Sequence, residues 1–138
     1  MRRIPWLACA FVCAIAPASA SDMATTPVVQ TRTTNVGQAI VVPAHPTVIV
    51  SQSTIPPGGR TPTHKHPYQR YVYVLDGTLT VVDETTGQTF EIKSGGFLAE
   101  MVNRWHHGEN RGTTSVRLVA IDQVPEGTGG NMVMKPGQ

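Results

Sequence analysis

The chemistry this sequence offers lies in three histidines. His64-Lys65-His66 sets two imidazoles two residues apart, and on an extended strand residues i and i+2 share a face. Both rings then project to one side, where their nitrogens can hold a single ion at about 2.0 to 2.2 Å. His106 follows His66 by forty residues, beyond segments that read as two hairpins, and an antiparallel sheet can return it to face the pair. Three neutral imidazoles leave two or three positions open on a divalent transition metal, whether iron, copper, zinc, nickel or manganese. A substrate oxygen or sulfur can bind there together with dioxygen or water. Iron, copper or manganese suits redox chemistry, whereas zinc or nickel acts as a Lewis acid on a carbonyl or a bound water. The same histidines also read as hydrogen-bonded residues of a barrel that takes no metal. His107 points away from His106 and reads as a supporting or surface residue. His45, between Ala44 and Pro46, reads as a solvent-facing loop residue.

Strands must position these rings. From residue 47 the chain reads as strand after strand, over 47–53, 70–75, 78–83, 89–93, 97–101 and 115–122, and no segment has helical periodicity. The separators are turn chemistry: Pro56-Pro57-Gly58-Gly59, Asp76-Gly77, Thr85-Thr86-Gly87-Gln88, Ser94-Gly95-Gly96 and Asn110-Arg111-Gly112. Short strands so spaced predict an all-β sandwich or barrel over residues 47–124. Asp76-Gly77, flanked by two apolar runs, predicts a tight hairpin. Residues 21–46, rich in Thr, Val and Pro, read as an extended N-terminal arm in which Ala39-Ile40-Val41-Val42 can form an edge strand. Residues 125–138, with their glycines and Pro136, read as a flexible tail.

The 138 residues, 40% hydrophobic and 14% charged, fit one domain. Eleven basic against nine acidic residues give a net charge of +2, too small and scattered for a nucleic-acid footprint. Met1-Arg2-Arg3, the 13-residue apolar run from Ile4 to Ala16 and the ending Ala18-Ser19-Ala20 match the three parts of a cleavable signal peptide, residues 1–20. The run is too short to span a bilayer. Cleavage after Ala20 leaves 118 of the 138 residues, with nine basic and nine acidic groups and neither Cys9 nor Cys13. The exported domain then has no disulfide and no thiolate ligand. It is expected in the periplasm or outside the cell, without membrane attachment.

Gly58, His64, His66, Arg70 and Gly77 stand at spacings that resemble the first motif of the cupin superfamily. Gly95, Met101, Asn103, His106 and Asn110 fall on the slots of its second motif, where glycine, proline, glycine, histidine and asparagine are usual, and 17 residues separate Gly77 from Gly95. The resemblance implies a single-domain cupin-type β-barrel, a double-stranded β-helix or jelly roll, akin to small exported quercetin-dioxygenase-like cupins. It also implies His64, His66 and His106 as metal ligands. Asn103 keeps the second-motif bend open, because Asn tolerates the left-handed region better than other non-glycine residues.

Arg70 departs from the pattern, since the family's fourth ligand there is a glutamate and an arginine has no lone pair to give a cation. Some cupin-like dioxygenases use three histidines alone. Gln69 and Tyr68 are candidate substitutes, although Gln69 is out of phase with His66 and needs a bulge to reach inward. Arg70 reads as an anchor for an anionic substrate, as the ion-pair partner of Glu100 or another barrel acid, or as an outward charge. Trp105 and Tyr68 are candidate pocket walls. The expected function is a three-His oxygenase acting on a small anionic molecule. The alternatives are a non-catalytic small-ligand or metal-binding cupin and a Lewis-acid lyase or isomerase. A homodimer built by exchange of the arms suits such a chain.

Overall fold

Period-two alternation governs the computed structural model, which describes residues 23–137; the expected leader, residues 1–20, lies outside the described residues. Nine strands form, with no helix among the described residues: β1 (Pro46–Ile55), β2 (His64–Lys65), β3 (Arg70–Asp76), β4 (Thr78–Asp83), β5 (Thr89–Lys93), β6 (Phe97–Ala99), β7 (His106–Glu109), β8 (Val116–Pro125) and β9 (Val133–Met134). They build two antiparallel sheets, ordered β1-β8-β3-β6 and β5-β4-β7-β2-β9. Strand β8 shows how the sequence sets a face. Val116, Leu118, Ala120, Asp122 and Val124 are buried, and the residues between them are more exposed. With Val72, Val74, Leu79, Val81, Ile92, Leu98 and Met101, the apolar members of this row form the core between the sheets. Burial of this kind contributes about 25 cal/mol per Å² of apolar surface. Asp122 is the one acid in that inward row of β8.

The crossings between sheets differ from the expected hairpins. Strands β3 and β4 lie in different sheets, so Asp76-Gly77 closes no hairpin and instead carries the chain from one sheet to the other. Gly77 takes the left-handed φ of 77° that the dipeptide favours, and a Cβ there would meet the Ser115 carbonyl oxygen at 2.9 Å. A turn signal specifies backbone handedness but not the partner strand; β3 already has β8 on one edge and β6 on the other. The hairpin across Thr85-Thr86-Gly87-Gln88 does form, pairing β4 with β5. Asn103, φ 55°, is the one non-glycine residue with positive φ among the described residues, as the second-motif bend requires.

Among the described residues, the segments flanking the barrel on both sides dock more closely than their composition implies. Ala39 makes one isolated bridge to Thr33 and no edge strand. Gln38 holds this turn on the barrel, accepting from the Val102 amide and donating to its carbonyl, both at 2.9 Å. The tail, expected to be loose, carries β9, which pairs with β2 through His64↔Met134 and Lys65↔Val133. Its Asn131 is 3% exposed.

Candidate metal centre

His64 and His106 are cross-strand partners, because β7 lies between β4 and β2. Pro67 follows His66 closely and β2 is only two residues long, so His66 stands just past its end. Even so, the ring of His66 lies 4.8 Å from that of His64 and 5.0 Å from that of His106, and the His64 and His106 rings are 4.6 Å apart. One nitrogen from each lies within 4.8 Å of the others, and all three residues are buried.

The backbone settles which nitrogen faces inward. His64 Nδ1 lies 2.7 Å from the Pro62 carbonyl oxygen, His66 Nδ1 2.6 Å from that of Asn131, and His106 Nδ1 2.8 Å from that of Arg104. A carbonyl only accepts, so each Nδ1–H donates, and each neutral ring keeps its lone pair on Nε2. The Nε2 atoms of His66 and His106 are buried with no hydrogen-bond partner. Buried orphan acceptors are costly, and three converging imidazole lone pairs are a donor set that fits a divalent transition metal. Burial lowers the His64 pKa to about 4, with the neighbouring His106 and His66 adding to the effect. Burial likewise lowers that of His106. Both rings are therefore neutral, as metal ligation requires.

A carboxylate joins the cluster from an unexpected position. Glu100, immediately after β6 and 6% exposed, has Oε2 3.2 Å from His66 Nε2 and 4.0 Å from His106 Nε2. Burial alone would raise its pKa, but the close approach of His66, His106 and Arg70 outweighs it and holds the carboxyl at about 2. Sequence reasoning placed Glu100 only as a possible partner of Arg70. The signal was strand phase, since Leu98 points inward and Glu100 is two residues further on.

Arg70 is an ion-pair residue, but its partner is Asp122, not Glu100. Nε donates to Oδ1 and Nη2 to Oδ2, both at 2.7 Å, a bidentate fork from β3 to the inward face of β8. Gln69 is 1% exposed and donates from Nε2 to the carbonyls of Arg70 (2.8 Å) and Glu100 (3.2 Å), while its Oε1 has no partner. It braces the backbone beneath Glu100, and its hydrogen bonds do not reach the histidines. Tyr68 lines an outer groove with Gln38, Val41, Pro43 and Val102 instead of the barrel interior, and its amide and carbonyl are clamped by the Asn131 side chain. Trp105 lies under the Lys65 ammonium, 4.9 Å away, and is not among the residues lining the interior cavity. His107 is buried, with Nδ1 2.6 Å from Glu84 Oε1, and His45 is exposed.

The cavity beside the cluster has a volume of about 80 Å³. His64, Arg70 and Glu100 form its polar end, and Ile55, Val72, Leu79, Leu118 and Ala120 its apolar wall. The space is far below the several hundred Å³ of a drug-sized site and suits a ligand of a few heavy atoms.

The sequence model of the cupin domain matches residues 51–122, just over half the chain. The fold is similar to that of an uncharacterized conserved protein with a double-stranded β-helix domain from Klebsiella pneumoniae, with TM-score 0.54 and 20% identity over 67% of this chain and 87% of that one. It is also similar to the polyketide cyclase RemF from Streptomyces resistomycificus, with TM-score 0.53 and 20% identity over 67% and 65% of the two chains. An oxalate oxidase in complex with the substrate analogue glycolate aligns with TM-score 0.53 and 21% identity over 64% of this chain and 46% of its own. The chain spans about half the length of several structures it matches. At these identities the likeness is one of fold. No curated protein matches the chain.

Proposed function

The chain belongs to the cupin family, and from that premise we propose that it is an exported metal-dependent oxygenase whose His64, His66 and His106 hold a divalent transition metal beside a small-molecule pocket. The observation that carries this reading is the convergence of three Nε2 atoms, each ring fixed by an Nδ1–H donated to a main-chain carbonyl. Such a second layer orients ligands and raises their basicity. When bound, the metal supplies Lewis acidity and, for iron, copper or manganese, redox chemistry with dioxygen.

The residues of the chain do the rest. The apolar wall from Ile55 to Ala120 excludes water from the bound molecule, which strengthens every electrostatic interaction at the polar end. Arg70 lines the same space with its charge balanced by Asp122. An anionic substrate would therefore find little free charge on Arg70, whose guanidinium fixes the polarity of that wall. Export rests on the leader-like residues 1–20.

The test is elemental analysis of untagged protein purified from the periplasm, beside His64→Ala and His106→Ala. Near-stoichiometric metal in the parent and its loss in both folded variants is the expected result, with a parent chain beginning at Ser21. Metal retained by both variants would sink the three-His centre. Metal-dependent oxygen uptake with a panel of small carboxylates and hydroxy acids then supports the oxygenase. Turnover without oxygen replaces it with Lewis-acid chemistry, and binding without turnover replaces it with a binding module.

A further inference from the structure

We infer that Glu100 is the carboxylate ligand of this centre, moved one strand across the barrel from the position where Arg70 now stands. The inference rests on the three-His reading and extends its ligand set.

The register makes the relocation possible. Strand β6 runs beside β3, with Tyr71 opposite Ala99, and the Glu100 amide donates to the Arg70 carbonyl at 2.9 Å. Positions 70 and 100 are therefore cross-strand neighbours at one level of the barrel, and a carboxylate at either can approach the same point. Position 70 holds a cation closed on Asp122. Within 4.0 Å the Glu100 carboxylate has His66 and His106 as ionic neighbours among the described residues, and not Arg70.

The distances match shared ligation. Two donors about 2.1 Å from one ion lie about 3.0 Å apart when adjacent and about 4.2 Å apart when opposite. Glu100 Oε2 is 3.2 Å from His66 Nε2 and 4.0 Å from His106 Nε2. Glu100 is also the buried acid that lines the cavity, so a ligand there leaves fewer open positions and adds a negative charge beside the substrate.

Cobalt(II) provides the probe. Its affinity for metal-free parent, Glu100→Gln and Glu100→Ala is measured by chelator competition, with visible absorption reporting coordination and circular dichroism reporting the fold. Ligation predicts a loss of affinity of about a hundredfold or more in both variants, beyond the 10- to 100-fold typical of supporting residues, together with a changed cobalt spectrum. If Glu100 is only an ion-pair partner that competes with metal for His66, affinity stays level or rises and the spectrum is unchanged, which overturns the inference. A parent that binds no cobalt overturns the three-His reading along with it, whereas a parent that binds while the variants match it overturns the Glu100 assignment alone. If neither variant folds, X-ray absorption of the cobalt-loaded parent decides: three nitrogens with a carboxylate carbon shell support the inference, and three nitrogens with water only refute it.

Discussion

Removing the Arg70 side chain distinguishes an ion-pair residue from a substrate anchor. The Asp122 side chain is 4% exposed and that of Arg70 15%. In Arg70→Ala the Asp122 carboxylate keeps one donor, Asn131 Nδ2 at 2.7 Å, and loses two charge-assisted bonds. Breaking a buried pair by deleting one partner costs about 3–5 kcal/mol. The surviving Asn131 bond and the partial exposure of Arg70 place this case near the lower end, at about 3 kcal/mol. Against the roughly 5–15 kcal/mol that stabilises a domain, that is a large fraction, and it lowers the melting temperature by about 10 °C or more. The assay is urea unfolding of metal-free protein for Arg70→Ala, Asp122→Asn and the double variant. Removing both charges recovers at least half of the loss, a coupling of about 1.5 kcal/mol or more. An Arg70→Ala loss under about 1 kcal/mol with additive single effects would refute the argument and free the guanidinium for a substrate anion.

Two further outcomes follow from the same geometry. Burial holds the His64 pKa at about 4, below its ordinary 6.5, so between those values the unfolded chain binds more protons than the folded one. Stability of the metal-free domain therefore falls as pH drops from 6.5 to about 4; Glu100, held at about 2, withdraws its own contribution only in more acid solution. Urea midpoints at pH 7, 5.5 and 4.5 should decline more steeply in the parent than in His64→Ala, where His106 still contributes, and an equal decline in both would reject the assignment. Truncation after Pro125 removes β9 and the Asn131 carbonyl that orients His66. It should weaken metal binding by about 10- to 100-fold, as measured by chelator competition, while unchanged affinity would show that the tail does not position the ring.

Much of the architecture was legible because its signals are local. The bounds of β4 and β5 follow from alternation between turn residues, and the left-handed Asn103 follows from its place in a glycine slot. The histidines stood out through spacing alone. Strands β2, β7 and β9 were hidden because they are two to four residues long and Val133 is the one β-branched residue among them. They exist because a longer neighbour offers its edge, which no local pattern announces.

By itself the sequence determined an all-β chain, its turn positions and three histidines of the right type, since alternation, φ preference and side-chain chemistry are properties of neighbours in the chain. Tertiary structure alone decided which strands share a sheet, that Asp76-Gly77 crosses between sheets, that Arg70 closes on Asp122 and that Glu100 reaches His66. Those outcomes depend on contacts between residues as much as 79 positions apart, as in Pro46 opposite Pro125. Their geometry arises only when both sheets pack, because closing such long loops is favourable only with the whole core in place.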